Sequence, residues 1–268
     1  MIKRERGKKK HSTTDNSNNN NNNNNKKKLK RMAQKTITYF YDCLSPFSFL
    51  AFQTFRRYEK VWDVKLVLKP MLLGIVMVST GNTPPGARPW AKSTAKVGGQ
   101  DMARNRKWFN IPDMKTSPSN FFGPNGPADK SGLSRDFRYM RMLAAVEMKA
   151  PDALGDATEG VFRMIYTDER DAEGRALVTE ERLQAICERA GISTAAAKDI
   201  VDSINSPPVK DHLKANIAEA VEKGAYGSPF YTCDDQIYFG SDRLEQFAFT
   251  HGFPWYGPDP TRPTVAKM

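Results

Sequence analysis

Residues 35–42 (KTITYFYD) alternate between polar and apolar side chains and are rich in β-branched and aromatic residues, which predicts a strand. Residues 48–58 (SFLAFQTFRRY) instead repeat phenylalanine at every third position, the spacing of one helix face. Residues 64–70 (VKLVLKP) predict a second strand that ends at a proline. A strand, a helix and a strand this close together predict a βαβ unit with a parallel strand pair.

The middle of the chain, from about residue 90 to residue 222, has the apolar spacing of helices. Serine or threonine before an apolar run, and proline at its first position, mark where such helices begin. The predicted helix starts are Ser134, with an amphipathic run to Met148, and Pro151, Thr179, Ser193 and Pro207. Gly191 is expected to end the helix before Ser193.

The last part of the chain returns to strand patterns. Residues 227–232 (GSPFYT) and 236–239 (QIYF) predict a hairpin around a turn at residues 234–235. Residues 240–242 (GSD) are expected to cap a final helix over residues 243–250. The predicted order is therefore a βαβ unit, a series of helices and a ββα unit.

This order predicts an α/β protein with a thioredoxin-like fold, in which the βαβ and ββα halves form one sheet. The helices between the halves would form an inserted all-helical domain. We expect a discontinuous thioredoxin-like domain of residues 35–90 and 216–257, a helical domain of residues 91–215, and tails of residues 1–34 and 258–268.

The net charge of +11 is concentrated in one segment. Residues 1–31 hold eleven of the 41 lysine and arginine residues but only two of the 30 acidic residues. The remainder is close to neutral, which argues against a nucleic-acid-binding groove in the folded part. The same segment contains an unbroken asparagine run from Asn18 to Asn25 and few apolar residues, so we expect a disordered tail. Met32 follows this tail directly and is a candidate alternative start.

Two further patterns are missing from the sequence. No stretch of about 18 apolar residues occurs, so we expect no membrane span and no membrane partner. No segment combines an apolar core with a small-residue cleavage site, so we expect no secretory signal.

The chain has three cysteines, and they form no CxxC motif and no cluster with histidine at metal-binding spacing. This sparse, odd number is typical of a reducing compartment, and we expect no metal. Cys43 ends a predicted buried strand, Cys187 falls on an apolar helix stripe and Cys233 lies at the hairpin turn. We therefore expect the first two to be buried and Cys233 to be at the surface.

The chemistry of a thioredoxin-like fold is carried by the turn between the first strand and the first helix. Disulfide oxidoreductases place CxxC there, whereas this chain has Ser45 and Ser48 in residues 43–48 (CLSPFS), so it cannot exchange disulfides through its own dithiol. A helix N-terminus still favours an anion. A thiolate supplied by a small molecule would fit, because such surroundings lower a thiol pKa from about 8.5 to about 3.5–7.5. The Ser45 hydroxyl could donate to that sulfur; alternatively, Ser45 is only an N-cap.

Two more positions could complete a site. Pro229 stands where a thioredoxin-like fold carries a cis-proline, which turns the preceding backbone toward the reactive sulfur. The start of the last helix offers N–H groups for a carboxylate, and Asp242 could bind an ammonium group. Glutathione has both groups at its γ-glutamyl end. The alternative for residues 240–242 is an ordinary capping motif.

Four segments, taken together, resemble the kappa-class glutathione transferases and the related bacterial 2-hydroxychromene-2-carboxylate isomerases. They are residues 41–50 (YDCLSPFSFL), 80–85 (TGNTPP), 224–229 (GAYGSP) and 239–243 (FGSDR). They occur in the order of that family, and the resemblance covers about residues 35–257.

The resemblance implies a homodimer that takes glutathione as co-substrate and needs no other cofactor. It implies that Ser45 contacts the glutathione sulfur and is the catalytic residue, and that the backbone of Ser228 pairs with the cysteinyl unit. The implied glutathione-binding residues are Ser45, Pro46, Phe47, Asn82, Ser228, Pro229, Ser241 and Asp242. Ser228 departs from the more usual apolar residue.

Some implied contacts stay open at this stage. A lysine is expected near the glycyl carboxylate, and Lys92 and Lys96 are both candidates. Asp101 and Arg104 resemble a motif that faces the cleft in the family; alternatively, they lie on a solvated helix face.

The resemblance implies a transferase that conjugates glutathione to small electrophiles or reduces hydroperoxides. The alternatives are a glutathione-dependent isomerase and, from another class, a thioredoxin-like binding module without its cysteines. A nucleic-acid role of the tail is a further alternative.

The C-terminal residues 266–268 (AKM) resemble a peroxisomal targeting signal. Members of the resembled family occur in peroxisomes and mitochondria, so we expect one of these two locations, with the cytoplasm as the alternative.

Overall fold

The computed structural model describes residues 34–83, 91–125 and 130–262, without the side chains of residues 91–95. The expectations for residues 1–33 of the predicted N-terminal tail and for the C-terminal address lie outside these residues. From residue 35 onward the chain belongs to one compact unit, and the following concerns that unit.

Four strands of the described chain form one mixed sheet in the order β2-β1-β3-β4. The strands are β1 (Thr36–Tyr41), β2 (Lys65–Pro70), β3 (Phe230–Cys233) and β4 (Gln236–Phe239). β1 runs parallel to β2, and both the β1–β3 and the β3–β4 pairs are antiparallel. This topology confirms the predicted βαβ and ββα halves, with β1 and β3 meeting at the centre of the sheet.

Nine α-helices occur in the described ranges. They are α1 (Pro46–Trp62), α2 (Leu73–Ser79), α3 (Ala91–Trp108), α4 (Arg138–Lys149), α5 (Leu154–Tyr166), α6 (Glu180–Arg189), α7 (Thr194–Ser203), α8 (Pro207–Glu222) and α9 (Leu244–His251). Short 3-10 turns cover Leu133–Arg135, Pro151–Ala153 and Ser241–Arg243. No helix among them is long and apolar enough to cross a membrane.

Most predicted helix starts are confirmed. The side chains of Thr179 and Ser193 accept the backbone N–H groups of Arg182 and Ala196, and Pro207 is the first residue of α8. Ser134 as a helix cap was wrong, because it lies inside a 3-10 turn and α4 begins at Arg138. The backbone N–H of Ser134 donates to Phe121, which holds this stretch in an irregular loop.

A second correction concerns the stretch between α3 and α4. The sequence pattern predicted helices throughout residues 90–222, yet the described residues between 111 and 132 contain no helix. Pro112, Pro118 and Pro124 explain the difference, because each lacks a backbone donor and restricts the residue before it.

The helices between the two halves of the sheet pack directly on the reactive turn. Phe49 of α1 stacks on Phe162 and Tyr166 of α5, with ring centroids 4.9 and 6.0 Å apart. The Tyr166 hydroxyl donates to the backbone carbonyl of Leu44. The turn before α1 is therefore held from the sheet side and from α5.

Candidate active site

A cleft of about 1390 Å³ opens where β1 ends and α1 begins. It brings together seven of the eight predicted glutathione-binding residues: Ser45, Pro46, Phe47, Asn82, Ser228, Ser241 and Asp242. The eighth, Pro229, is buried behind Ser228. Segments that are far apart in sequence thus line one cavity.

Ser45 caps helix α1 and also faces the cis-proline loop. Its side-chain oxygen accepts the backbone N–H of Ser48 at 3.2 Å, and its hydroxyl donates to the backbone carbonyl of Ser228 at 3.2 Å. Ser45 is buried, and α1 carries no acidic residue in its first turn. The positive end of the helix dipole is therefore not neutralised by a neighbouring carboxylate on that helix. Both sequence interpretations of Ser45, cap and sulfur contact, fit the same geometry.

The peptide bond between Ser228 and Pro229 is cis, as predicted. The Ser228 hydroxyl oxygen accepts the backbone N–H of Asp42 at 3.1 Å and lies 2.6 Å from the hydroxyl oxygen of Ser48. Sequence reasoning expected a backbone role for Ser228 and missed these side-chain contacts. The pairing of β1 with β3 produces these side-chain contacts, and no local sequence motif predicts that pairing.

Asp42 is a site residue that the sequence reasoning did not single out. One carboxylate oxygen accepts the backbone N–H of Leu44 at 2.9 Å, and the other accepts that of Leu73 at 2.8 Å. Burial raises the pKa of Asp42 to about 6, against the opposing effect of these two hydrogen bonds. Asp42 therefore joins the reactive turn to the start of α2. Its place directly after a predicted strand was the available signal.

The predicted tripeptide contacts Asn82 and Asp242 already have protein partners. The Asn82 side-chain nitrogen donates to the backbone carbonyl of Tyr226 at 2.8 Å, which connects two walls of the cleft. Asp242 pairs with Arg243 at 2.8 Å, and its side chain is 71% exposed.

The start of the last helix differs from the prediction. Neither Ser241 nor Asp242 caps it through a side chain; both lie in a 3-10 turn, and α9 begins at Leu244. Gly240 precedes this turn with φ of +96°, a conformation that favours glycine. A Cβ there would also lie 2.5 Å from a carboxylate oxygen of Asp242. The turn leaves Ser241 buried at the cleft wall.

Helix α3 forms the opposite wall of the cleft. Asp101 and Arg104 both line the cavity and form an ion pair with each other. Asp101 and Arg104 therefore line the cleft and are also largely exposed, so both alternatives given for them are correct. Lys96 is exposed, and the side chain of Lys92 lies outside the described residues.

Part of the cleft lining is apolar. It includes Trp108, which is 56% exposed, and the aromatic side chains of Phe121, Phe122 and Phe137. Phe47, at the tip of α1, is also 44% exposed in this region. Sequence analysis did not name the four aromatic residues beyond α1, because three of them lie in or beside the irregular stretch that was predicted to be helical.

None of the three cysteines supplies a reactive thiolate. All three are buried, and burial raises the thiol pKa of Cys43 well above its usual value and those of Cys187 and Cys233 to about 11. The prediction that Cys233 is at the surface was wrong, because it is the last residue of β3 and faces the core beneath α9. A reacting sulfur in the cleft must therefore come from a bound molecule.

A group of ligand-type side chains lies at the hairpin end of β3. Cys233, Asp234 and His251 each place one ligand atom within 4.8 Å of the others. The ammonium group of Lys35 already lies 2.6 Å from Asp234 and 3.4 Å from His251. A cationic side chain thus occupies the position that would attract a metal ion.

Comparison with known proteins identifies the family. The DSBA-like thioredoxin domain family matches residues 36–250. The chain is 31% identical to rat glutathione S-transferase kappa 1 over 232 residues, 85% of this chain and 96% of the rat protein. The human protein of the same name is 32% identical over 231 residues, 84% of this chain and 95% of its own. The chain belongs to the glutathione S-transferase kappa family.

A solved structure supports the fold of this kappa-family chain. The structure of a 2-hydroxychromene-2-carboxylate isomerase superimposes with a TM-score of 0.62 at 21% identity, covering 81% of this chain and 94% of the isomerase. The resemblance drawn from the four sequence segments is therefore confirmed at the level of family and fold.

Proposed function

We propose that this protein binds glutathione in the cleft as a thiolate and transfers it to small electrophiles. The observation that carries the proposal is the meeting of Ser45 with the positive end of α1, whose first turn carries no acidic residue, in a cleft without a reactive cysteine. The kinship with proteins named glutathione S-transferase kappa supplies the identity of the thiol.

The chemistry follows from the surroundings of the sulfur. Amide groups at the helix N-terminus and a hydroxyl proton from Ser45 stabilise a thiolate and leave the neutral thiol unaffected, so they lower its pKa. The thiolate then attacks an electrophilic carbon, a carbon–sulfur bond forms and the leaving group departs with the bonding electrons. With a hydroperoxide, the thiolate attacks the terminal oxygen, the O–O bond breaks, and the alkoxide takes up a proton and leaves as an alcohol. A second glutathione then attacks the sulfenic acid, which gives glutathione disulfide and water. Ser45 forms no covalent bond in either reaction.

We propose partners of matching chemistry for the two ends of the tripeptide. We assign the γ-glutamyl group to Ser241 and Asp242, and the cysteinyl backbone to Ser228. We assign Asn82 to the same tripeptide, and Lys92 or Lys96 to its glycyl carboxylate. Pro46 and Phe47 complete the wall beside the sulfur.

The cleft has room for a second molecule beside the tripeptide. The aromatic wall of Trp108, Phe121, Phe122 and Phe137 favours an apolar, planar acceptor. This wall supports the conjugation of aromatic electrophiles and the reduction of apolar hydroperoxides. The isomerase with the same fold shares too little sequence to favour an isomerase reaction here.

We also propose a homodimer in a peroxisome or mitochondrion. Val78 and Phe249, which are 77 and 86% exposed, are the apolar side chains that we propose as candidate contacts with a second copy. The residues at 266–268 support a peroxisomal location. Sedimentation of the purified protein tests the dimer, and imaging of tagged protein with and without these three residues tests the location.

The experiment that tests the function combines binding and turnover. The protein should be retained on immobilised glutathione and eluted by free glutathione. It should then conjugate a chloronitrobenzene or oxidise glutathione with an apolar hydroperoxide, and Ser45→Ala should be much slower in both assays. A chain lacking residues 1–31 should keep full activity. Failure to bind glutathione, or equal activity of Ser45→Ala, would refute the assignment, and turnover of a hydroxychromene alone would favour the isomerase.

A further inference from the structure

Ser228 makes contacts through both its side chain and its backbone. Its hydroxyl oxygen accepts the backbone N–H of Asp42 at 3.1 Å and lies 2.6 Å from the Ser48 hydroxyl oxygen. Its carbonyl accepts the Ser45 hydroxyl at 3.2 Å. The loop is therefore attached both to the end of β1 and to the first turn of α1.

The proton of Ser45 has a definite direction in this arrangement. The Ser45 oxygen accepts the N–H of Ser48, and its single proton points to the Ser228 carbonyl. A hydroxyl has one proton to donate. A sulfur entering the cleft therefore first meets an oxygen lone pair of Ser45, which suits a neutral thiol and not a thiolate.

A thiolate in the cleft would accept a hydrogen bond from the same Ser45 hydroxyl proton. Rotation about the Cβ–Oγ bond of Ser45 redirects it without moving any heavy atom. The Ser228 carbonyl, in a residue that is 8% exposed, then loses its partner unless another donor arrives. An unpaired buried acceptor is unfavourable, so the rotation is disfavoured in the absence of that donor.

We propose that Ser228 is a positioning residue that directs the Ser45 hydroxyl proton, and that the cysteinyl N–H of glutathione replaces this proton at the Ser228 carbonyl. The Ser45 hydroxyl then donates its hydrogen bond to the sulfur, and the thiol proton leaves to solvent. The Ser228 hydroxyl keeps the carbonyl at the correct distance by anchoring it to Asp42 and Ser48. The exchange rests on the proposed binding of glutathione. It makes ionisation of the sulfur depend on the peptide bond beside it, so that simple thiols of similar size are poor substrates.

The first test changes the anchor. Ser228→Ala keeps the carbonyl but removes the hydroxyl contacts, and should raise the thiol pKa of bound glutathione by about one unit. The readout is the thiol pKa and not the affinity, because the Ser228 carbonyl also belongs to the proposed glutathione contacts. Ser48→Ala leaves the Asp42 contact and should have a smaller effect, and Ser228→Thr should restore the pKa. An unchanged thiol pKa in Ser228→Ala would overturn the positioning role.

The second test needs no variant and decides the question even if Ser228→Ala does not fold. A glutathione analogue with an ester oxygen in place of the cysteinyl N–H removes the replacing donor. Bound to the unmodified protein, its thiol should titrate about one unit or more above that of bound glutathione. An analogue thiol with the same pKa as glutathione would overturn the exchange. If glutathione itself does not bind, or its thiol pKa is not lowered on binding, the proposed function fails instead, and the exchange fails with it.

Discussion

Replacing Ser45 by alanine separates its structural role from its chemical role. The substitution removes the acceptor of the Ser48 N–H and the donor to the Ser228 carbonyl. The Ser48 N–H keeps a backbone bond to the Ser45 carbonyl at 3.0 Å, so the capping loss falls near the low end of the usual range of about 0.5–2 kcal/mol. Together with a weakened contact to the cis-proline loop, we expect a loss of about 1–2 kcal/mol in the free energy of unfolding.

The chemical effect should be larger than the structural one. A hydrogen bond to a charged group contributes about 1.5–3 kcal/mol, which corresponds to a rise of about one to two units in the thiol pKa of bound glutathione. Below that pKa, the thiolate fraction and the conjugation rate should fall about tenfold for each unit.

The assay is a pH titration of the thiolate ultraviolet absorbance of the enzyme–glutathione complex, with the pH dependence of turnover beside it. Ser45→Thr keeps the hydroxyl and the cap and serves as the matched control. Ser45→Gly removes the hydroxyl at a capping cost of only a few tenths of a kcal/mol, so it should share the pKa shift and not the instability. An unchanged thiol pKa in both Ser45→Ala and Ser45→Gly would show that the helix terminus alone ionises the sulfur.

Three other changes test the surroundings of the site. Burial raises the pKa of Asp42 from 3.8 to about 6, so ionising it in the folded state costs about 3 kcal/mol more than in the unfolded chain. The free energy of unfolding should therefore fall as the pH rises from about 4 to 6. Urea unfolding of Asp42→Asn should not show this pH dependence. Burial and the charge of Lys35 lower the pKa of His251 below 6.5, so the unfolded chain binds a proton at this histidine more readily than the folded protein does. Stability should therefore be lost as the pH falls below 6.5. In thermal unfolding, His251→Gln should lose less stability over this acid range. Asp242→Ala should weaken glutathione binding, measured by calorimetry, by only about two- to fivefold, because the Asp242 carboxylate is exposed and already pairs with Arg243. A hundredfold loss of affinity would show that bound glutathione buries this carboxylate.

The elements that position the site were predictable because their signals are local. A serine before a proline marks the start of α1, and alternation in residues 35–42 marks β1. Pro229 stands where a thioredoxin-like fold carries a cis-proline, and this fold-level match predicted its cis bond. Family motifs in these segments then joined them into one cleft, which the lining of the cavity matches.

The rest depends on contacts between distant segments. The anchoring of Ser228 to Asp42 and Ser48 requires β1 and β3 to pair across 186 positions of the chain. The aromatic wall comes from a stretch that proline residues keep irregular, where helical spacing misled the prediction. Cys233 looked exposed because it precedes a turn, but the sheet turns its side chain toward α9. In each case tertiary packing overrides a short-range pattern.

The buried positions of Cys43, Cys187 and Cys233 have a consequence for survival under oxidative stress. A catalyst working among glutathione, glutathione disulfide and peroxides is exposed to reagents that modify accessible thiols. In this protein the sulfur that can be oxidised belongs to the glutathione co-substrate. It leaves with the product, so an oxidised sulfur does not stay on the enzyme after turnover. Such a protein should withstand concentrations of disulfide and peroxide that inactivate relatives of the same fold with a CxxC pair.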